Sequence, residues 1–226
     1  MRLSSRCRVC DGEISYEAPD SPMMRGFAPS ICGVCARVEA NIYIEAQAVR
    51  EHSMRGLPPR YRRVAFEDFT PHTPSQELAL EAMRGRALEG VMLIGSAGCG
   101  KTHLACAAIS AGPVGSLFVN TATLLDDVRK GYDGEGRGLF TRALTAPLLA
   151  LDDLGSEAVT DWVRDRLYTQ INHRWDHCLP LIVTTNVTAA DLAERIGQGV
   201  ASRIAGCCAE RISVKGPDGR REAGER

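Results

Sequence analysis

Several features that would place the chain in a broad class are missing. The 226 residues contain no apolar run of about 18 residues, so the sequence predicts no membrane-spanning helix. The N-terminal arginines are not followed by the apolar stretch that a secretory signal needs. The formal net charge of −1 excludes a uniformly basic nucleic-acid-binding protein, so any contact with DNA has to come from local patches.

Lysine is also scarce, which makes its position informative. Only Lys101, Lys130 and Lys215 occur, whereas arginine supplies the rest of the basic side chains. Residues 95–102 read Gly-Ser-Ala-Gly-Cys-Gly-Lys-Thr and match the pattern G-x-x-x-x-G-K-[ST]. The apolar run 91–94 precedes this pattern and a helical pattern begins at Lys101, so the segment has the strand–loop–helix context of a phosphate-binding loop.

The residue types of this loop suit a triphosphate and a metal ion. Its glycines let backbone N–H groups point at a β-phosphate, at the positive end of the helix dipole. Lys101 can reach the β- and γ-phosphates, and Thr102 can bind Mg²⁺ through its hydroxyl. The sequence therefore predicts a site for ATP and Mg²⁺, and the predicted nucleotide-binding residues are Gly95, Ser96, Ala97, Gly98, Cys99, Gly100, Lys101, Thr102 and His103.

The cysteine spacing predicts a second site. Nine cysteines without a secretory signal favour reduced thiols and metal ligands, and hence a cytoplasmic protein. Four of them form two pairs, Cys7-x-x-Cys10 and Cys32-x-x-Cys35, and two such turns complete a tetrahedral Zn²⁺ site. The segment between the pairs has few apolar residues, so the metal would supply folding energy. The alternative is four unrelated buried or free cysteines.

Breaks in the pattern suggest the domain boundaries. A helix is predicted over 36–54, and Gly-Leu-Pro-Pro at 56–59 ends it. Residues 1–56 are therefore predicted to form a zinc-binding module with its helix, 57–214 the core domain, and 215–226 a flexible tail. The alternating charges of 211–226 predict disorder there.

The core domain reads as alternating strands and helices. Strands are predicted at 91–94, 116–120, 147–153 and 180–186, and helices at 75–88, 123–130 and 159–177. The glycine-rich, charged stretch 131–138 is predicted to be a mobile loop. The order predicts an α/β fold with a parallel sheet between two helical layers.

Polar side chains follow two of the predicted strands. Asp152 and Asp153 end the apolar run 148–151, and Asn186 ends the next strand. Ligands in parallel sheets bind at the carboxyl ends of the strands, where these side chains and the phosphate loop would converge. Asp152 would bind Mg²⁺, Asp153 would orient the attacking water, and Asn186 would contact the γ-phosphate or that water. An Asp at a strand end is also common in ordinary turns.

The order of these motifs resembles that of AAA+ ATPases. The phosphate loop, 148–153, 181–186 and the 192–204 region carry this resemblance. The segments 57–61 and 66–69, the string Ile171-Asn172-x-Arg174, and Thr184-Thr185-Asn186 resemble the DnaC/IstB-type helicase loaders of the initiator/loader clade. The resemblance covers 57–214. It implies a bacterial or phage-encoded loader that binds the replicative DNA helicase and single-stranded DNA, with a minimal ATPase core that lacks the C-terminal lid.

Further expectations follow from the resemblance. Arg203 occupies the place of an arginine that acts on the ATP of a neighbouring subunit, which implies self-association through the ATP site; Arg195 is the second candidate. An ordinary surface arginine is the alternative for both. Asp153 stands where the broader family has Glu, so the carboxylate reaches less far and slow hydrolysis is expected.

Two binding surfaces are also expected. The predicted DNA contacts are Arg129, Lys130, Tyr132 and Arg137, near the place of a DNA-binding element in initiator-type relatives. A solvated loop of mixed charge is the alternative. The zinc module is expected to dock on the helicase, unless it is only a structural cap.

Rival functions remain open. An IstB-like helper of DNA transposition shares the ATPase core, although such helpers generally lack a zinc module. A binding module that keeps ATP as a structural ligand with little turnover is the third possibility.

Overall fold

The computed structural model describes residues 2–17, 30–38, 55–132, 138–157 and 159–219, with only the backbone described for 2, 3, 131 and 132. The chain divides into two compact units, Met1–Glu51 and His52–Arg226. Within the described residues, no helix has the length and apolar character needed to cross a membrane.

The first unit contains an antiparallel hairpin. Strand β1 (Arg2–Arg6) pairs with β2 (Glu13–Glu17), and Arg6 lies opposite Glu13 at the closed end. The turn between them carries the first cysteine pair, and residues 33–38 form helical structure that includes Cys35. Residues 39–54 of the helix predicted over 36–54 lie outside the described residues.

The second unit is built on a five-stranded parallel sheet, as the sequence predicted. The strands are β3 (Val91–Ile94), β4 (Leu117–Asn120), β5 (Leu149–Asp152), β6 (Leu181–Thr185) and β7 (Glu210–Ser213). Their order in the sheet is β4-β5-β6-β3-β7. Strands β5 and β6 are buried along their whole length, and β3 and β4 are buried except at their last residue, which is why all four read as apolar runs.

Helices cover both faces of this sheet and confirm the three-layer prediction. The described helices are α1 (Pro74–Arg86), α2 (Lys101–Ala111), α3 (Thr121–Tyr132), α4 (Gly138–Thr145), α5 (Asp161–Asp176), α6 (Ala189–Ile196) and α7 (Gln198–Cys207). One hydrophobic cluster joins α1 and α2 to one face of the sheet, and the other joins the remaining helices to the opposite face. Short 3₁₀ helices lie at Pro59–Tyr61, Phe66–Asp68 and Ala87–Glu89.

Local sequence explains where three of the helices begin. Thr73, Thr160 and Thr188 each accept a hydrogen bond from the backbone N–H three residues ahead, at the starts of α1, α5 and α6. A threonine in this position satisfies one of the N–H groups that a helix leaves without an internal partner. These caps therefore set the starts of the helices that flank the sheet.

Two segments differ from the sequence-based expectations. Helix α4 was not predicted, and the predicted loop 131–138 contributes its first two residues to α3 and its last to α4; residues 133–137 lie outside the described part. The prediction of disorder was wrong for residues 211–213, which belong to β7 and pair with β3. In β7 only Ile212 is buried, so main-chain pairing rather than an apolar run forms this strand.

Arg174 links the helical layer that contains α4 and α5 to the sheet. The side chain is fully buried in α5, and its guanidinium donates to the carbonyl oxygens of Ala143, Leu144, Ala146 and Pro180. Burial lowers the pKa of Arg174 to about 10. This arginine thus satisfies carbonyls at the end of α4 and next to β6, which gives the Ile-Asn-x-Arg string a structural role.

Candidate functional site

The phosphate loop joins β3 to α2, as the motif predicted. Gly98 and Gly100 have φ angles of 83° and 100°, a left-handed conformation that favours glycine. A Cβ atom on Gly100 would lie 2.3 Å from the Phe69 ring, so the close contact also excludes larger residues. Because Gly100 caps α2, the loop stands at the positive end of that helix, the position suited to a phosphate.

Lys101 links this loop to the tip of the neighbouring strand. It is only 6% exposed. Its Nζ lies 2.9 Å from Asn186 Oδ1, and it also donates to the carbonyl oxygens of Gly95 at 2.8 Å and Ser96 at 2.7 Å. The structure therefore brings the predicted lysine and asparagine together, on β3–α2 and β6, at the same edge of the sheet.

Asp152 lies at the centre of a buried polar network at the end of β5. Its Oδ1 accepts hydrogen bonds from Thr102 Oγ1 at 2.9 Å and from Thr184 Oγ1 at 2.7 Å. Burial raises the pKa of this carboxyl, and the two hydroxyl donors act in the opposite direction. A hydroxyl and a carboxylate are ligands that Mg²⁺ prefers, and both converge on one point, so Thr102 and Asp152 fit the predicted metal site.

Asp153 follows in an unusual backbone conformation. Its φ angle is 59°, in the left-handed region that non-glycine residues seldom adopt. This turn directs the side chain toward β6, where Asn186 Nδ2 lies 2.5 Å from Asp153 Oδ1. Asn186 thus joins the side chains of Lys101 and Asp153. Asp152 is linked to the backbone of Asp153 through the Thr184 hydroxyl, so the four side chains predicted to act on the nucleotide lie together at the carboxyl ends of β3, β5 and β6.

A cavity of about 780 Å³ opens onto these residues. One wall carries aromatic and imidazole rings: the centroid of His103 lies 5.4 Å from that of Phe69 and 6.2 Å from that of Tyr61. Burial lowers the pKa of His103, which favours its neutral form. The lining combines the phosphate loop, the acidic strand end and this ring-bearing wall, as expected of a nucleotide pocket.

The last described residues lie against the phosphate loop. Lys215 accepts hydrogen bonds at its carbonyl oxygen from Thr73 and Ser75, and Gly219 N donates to Gly98 O at 3.2 Å. The Asp218 carboxylate is close enough to Gly98 that a Cβ there would collide with it. Pro217 and Gly219 line the cavity. Of the predicted tail, residues 220–226 lie outside the described part.

The two arginine candidates have different surroundings. Arg203 lies on α7, and its guanidinium donates to Asn172 Oδ1 at 2.6 Å and lies 4.9 Å from the centre of the Tyr168 ring. Arg195 lies in the last turn of α6 and donates to the carbonyl oxygen of Gly155 at 2.8 Å. Neither arginine is among the described residues that line the cavity.

The predicted DNA contacts are only partly described. Arg129 and Lys130 are exposed in the last turn of α3. The Arg129 guanidinium lies 4.9 Å from the centre of the Trp162 ring and 3.6 Å from Asp126 Oδ1. The side chain of Tyr132 and the whole of Arg137 lie outside the described residues.

The first unit brings together the four predicted zinc ligands. The Sγ atoms of Cys7, Cys10, Cys32 and Cys35 all lie within 4.8 Å of one another. Tetrahedral Zn²⁺ with Zn–S bonds of about 2.3 Å requires S–S separations of about 3.8 Å. Cys10 and Cys32 have their sulfurs at that separation, 3.8 Å. The donor set and its spacing therefore fit Zn²⁺.

Backbone N–H groups stabilise the thiolate form of two of these cysteines. The N–H of Cys32 donates to Cys7 Sγ at 3.3 Å, and this bond is the largest cause that lowers the pKa of Cys7 to about 6. The pKa of Cys32 is lowered chiefly by the N–H of Cys35, 3.4 Å from its sulfur. Both shifts favour the thiolate, the form that binds zinc.

Sequence reasoning missed several residues that the fold adds to the nucleotide site. Thr184 was quoted as part of a motif and given no role, yet its hydroxyl contacts Asp152. Gln76 and Phe69 line the cavity, and Gln76 Nε2 donates to the carbonyl oxygen of Cys99 at 3.1 Å. No spacing rule connects these residues with the phosphate loop, because long segments of chain separate them.

Comparison with known proteins agrees with this geometry. Residues 51–205 match the family described as IstB-like ATP binding protein. An ATP-binding protein from an insertion sequence of Mycobacterium tuberculosis is 36% identical over 62% of this chain and 64% of its own length. The replicative helicase loader DnaI of Bacillus subtilis is 28% identical over 46% of this chain and 35% of its own length. The chain thus spans less than two thirds of either relative.

Solved structures confirm the AAA+ fold. The crystal structure of the DnaC helicase loader is 29% identical with a TM-score of 0.62, over 70% of this chain and all of that one. The DnaI structure, at 21% identity, has a TM-score of 0.60 over 75% of this chain and 98% of its own, and shows the fold alone. The DnaC/IstB-type resemblance predicted from the sequence is therefore confirmed.

Proposed function

We propose, from the premise that this chain belongs to the family of IstB-like ATP-binding proteins, that it hydrolyses ATP slowly and loads the replicative DNA helicase onto single-stranded DNA. The observation that carries the ATPase part is the network beside the cavity, in which Asn186 joins Lys101 to Asp153 and the Thr184 hydroxyl joins Asp152 to the backbone of Asp153. The four-thiol cluster of the first unit carries the loader part, because it supplies a separate module without a role in nucleotide chemistry.

Each side chain of the network has a role in this proposal. Lys101 neutralises oxygens of the β- and γ-phosphates. Thr102 and Asp152 would hold Mg²⁺, which supplies further charge neutralisation for the phosphates when it is bound. Asp153 accepts a hydrogen bond from the attacking water and orients it, with Asn186 holding the carboxylate in place. Because Asp153 is one methylene shorter than Glu, slow hydrolysis is expected.

Arg203 is proposed to complete the site of a neighbouring subunit. Within the described residues, its hydrogen-bond partners are neutral: an amide oxygen, a backbone carbonyl and a phenol. Its positive charge is therefore available to a phosphate on another molecule. Arg195, by contrast, lies near Glu157: burial raises the pKa of that carboxyl, and the charge of Arg195 acts in the opposite direction. Part of the charge of Arg195 is therefore already balanced. This difference favours Arg203 as the residue that acts in trans.

Two further surfaces are proposed to bind the partners of this protein. The zinc module is proposed to dock on the helicase, and exposed Arg129 and Lys130 to contact the phosphates of single-stranded DNA. Domain boundaries at residues 56 and 214 remain part of this proposal. A cytoplasmic location of a bacterial or phage-encoded protein follows from the same function.

The direct test is transfer of the host's replicative helicase to circular single-stranded DNA in the presence of ATP and Mg²⁺. The full chain should increase the amount of helicase retained on the circle, and Lys101→Ala should abolish the increase. Cys7→Ser, but not the exposed-cysteine control Cys178→Ser, should lose helicase binding. Helicase binding by the Cys7→Ser variant would contradict the docking role, and no transfer by the wild-type chain would contradict the loader function.

The role of Arg203 can be tested by mixing two inactive variants. Arg203→Ala is expected to lower hydrolysis by roughly 10³-fold, the usual effect of removing an arginine finger. If the arginine acts in trans, a mixture of Arg203→Ala and Lys101→Ala regains activity, because one interface then combines an intact lysine with an intact arginine. No regain in the mixture, or a larger loss with Arg195→Ala, would contradict the assignment.

A role in DNA transposition is the second candidate, and one observation favours it. The insertion-sequence relative from Mycobacterium tuberculosis has a higher identity to this chain than DnaI has. An ATPase of this kind would recruit a transposase to target DNA rather than bind the helicase. ATP-dependent capture of an insertion-sequence transposase, without helicase binding, would support this alternative over the loader.

A further inference from the structure

Thr184 connects two residues of the nucleotide site that differ in role. Its side chain is buried in β6, two positions before Asn186. Its Oγ1 donates to Asp152 Oδ1 at 2.7 Å and accepts from the backbone N–H of Asp153 at 2.9 Å. One hydroxyl therefore contacts both the side chain expected to bind Mg²⁺ and the backbone of the residue expected to orient water.

We infer that Thr184 is a positioning residue, which holds the Asp152 carboxylate in the orientation that Mg²⁺ requires and maintains the turn at Asp153. The inference rests on the proposed ATPase function. It deepens that function, since it assigns a role to a side chain on the strand next to β5.

The direction of the two hydrogen bonds is determined by chemistry. A backbone N–H can only donate, so the Thr184 hydroxyl must accept from Asp153 N. The single hydroxyl proton is then left for Asp152 Oδ1. Valine has nearly the same shape but can neither donate nor accept a hydrogen bond through its side chain, whereas serine can do both. The hydroxyl, rather than the volume of the side chain, is therefore the feature under test.

Thr102 and Thr184 donate hydrogen bonds to the same oxygen of Asp152, but only the bond from Thr102 is expected to change when Mg²⁺ binds. Thr102 is itself expected to bind Mg²⁺ through its hydroxyl, which changes its contact with Asp152. Thr184 lies on β6 and is not an expected ligand, so its bond can persist. Among the side-chain donors described for Asp152, Thr184 is then the one that keeps the carboxylate oriented in the loaded site.

The second bond explains how a non-glycine residue keeps its conformation at position 153. The φ angle of 59° is unfavourable for Asp153, so the surrounding structure must hold it. Thr184 brackets the turn: its hydroxyl accepts from Asp153 N, and its carbonyl oxygen accepts from Leu154 N at 2.9 Å. Loss of the hydroxyl bond should therefore misplace the Asp153 carboxylate as well.

The neighbouring Thr185 provides a matched control. It is also fully buried in β6, and its hydroxyl donates to the carbonyl oxygen of Leu154 at 2.7 Å and accepts from Val187 N at 3.2 Å. Thr185→Val therefore removes a buried hydroxyl with two hydrogen bonds but leaves Asp152 untouched. A similar drop in melting temperature is expected for Thr184→Val and Thr185→Val.

The experiment measures Mg²⁺ directly, through binding of a fluorescent non-hydrolysable ATP analogue to the full chain during a Mg²⁺ titration. Thr184→Val should raise the Mg²⁺ concentration at half-saturation about tenfold, the low end of the effect of removing a residue that orients a metal ligand. Affinity for the analogue in EDTA should stay within about twofold of wild type, and so should the Mg²⁺ titration of Thr185→Val. Thr184→Ser should restore the wild-type titration.

Steady-state kinetics should agree, with kcat of Thr184→Val reduced at saturating Mg²⁺ and KM for ATP little changed. If the valine variant does not fold, Thr184→Cys replaces it, because a thiol is only a weak donor. An unchanged Mg²⁺ titration, or a loss that serine does not restore, would overturn the inference while the ATPase proposal stands. A wild-type chain that binds no nucleotide would instead overturn the proposed function.

Discussion

The two candidate sites are built in opposite ways. At the nucleotide site, Lys101 and Asp152 are almost completely buried and are connected to their neighbours by hydrogen bonds between side chains. In the cysteine cluster only Cys7 is buried, and the bonds to sulfur come mainly from backbone N–H groups. The sheet thus positions the residues of the nucleotide site, whereas in the described part of the first unit the thiols are held mainly by backbone contacts among the cysteines themselves.

The difference concerns the source of folding energy. The core of the second unit contains two hydrophobic clusters, and its ligand-binding residues add polar groups to an existing fold. The described part of the first unit has one short hairpin and one fully enclosed apolar-type side chain, Cys7 at 2% exposure. Small units with so little apolar core usually need a metal or disulfides to fold, so we expect the first unit to depend on Zn²⁺. We therefore expect loss of ligand to unfold one unit and to leave the other folded.

Removal of zinc should have the largest effect. A structural Zn²⁺ site contributes roughly 10 kcal/mol or more to the folding of a small module. A strong chelator, or Cys7→Ser, should therefore unfold the first unit and leave the affinity of the second unit for ATP within about twofold. NMR spectra of the backbone amides would show the loss of dispersion, and a colorimetric assay would measure the zinc released.

The matched variant for this experiment is Cys178→Ser, which removes an exposed thiol outside the cluster. Its zinc content and spectrum should equal those of the wild type. An ordered first unit after complete removal of metal would contradict the contrast between the two units, since the first unit would then fold without a ligand, as the second is expected to do.

A smaller effect on stability is expected from Asp152→Asn. This substitution should stabilise the ligand-free protein, whereas removal of zinc should destabilise the first unit. Burial raises the pKa of Asp152 above its ordinary value of 3.8, so the folded state binds this proton more tightly than the unfolded state. The contribution of the carboxyl to stability is therefore present at pH below 3.8 and is lost as pH rises through the folded-state pKa. At neutral pH without nucleotide, Asp152→Asn should raise the melting temperature.

The same variant should abolish the additional stabilisation that Mg²⁺ gives in the presence of ATP, because the amide replaces a metal-binding carboxylate. Thermal unfolding with and without both ligands, at several pH values, measures the two effects together. The gain in melting temperature should shrink toward acidic pH. A lower melting temperature of the ligand-free variant at neutral pH would show that the carboxylate stabilises the fold, contrary to the expectation from burial.

The sequence predicted the parts of the nucleotide site that lie on short contiguous motifs. The strand β3, the loop with Lys101 and the acidic end of β5 were each recognisable because a buried strand and its following turn are consecutive in the chain. The convergence of Asp153 and Asn186 was predictable as well, from the rule that parallel strands present their carboxyl ends at one edge.

Features that depend on distant pairing were not recognisable. Strand β7 has charged or polar residues at three of its four positions and acquires its structure from main-chain bonds to β3, far away in the sequence. Helix α4 follows a glycine-rich stretch that obscured its amphipathic pattern, and its apolar residues belong to a hydrophobic cluster shared with α3 and α5. The role of Thr184 depends on which strand lies next to β5, and no local pattern contains that information.

The smallest predicted effect concerns Asp218, which the chain places beside the phosphate loop. Its carboxylate lies against Gly98, and the adjacent Gly219 N donates to the carbonyl oxygen of the same glycine. A negative charge at this position opposes a triphosphate, although solvent and salt weaken the repulsion at a partly exposed site. Asp218→Asn should therefore tighten ATP binding by only about two- to fivefold at low salt, and tighten ADP binding less because ADP carries less charge.

Titration of a fluorescent ATP analogue at two salt concentrations measures this effect. Asp165→Asn, which removes the same charge from the exposed face of α5, should leave the affinity unchanged. Weaker binding by Asp218→Asn would mean that the segment 215–219 supports the nucleotide rather than repels it. The nucleotide site would then depend on the end of the described chain as well as on the sheet, and its contrast with the cysteine cluster would be reduced.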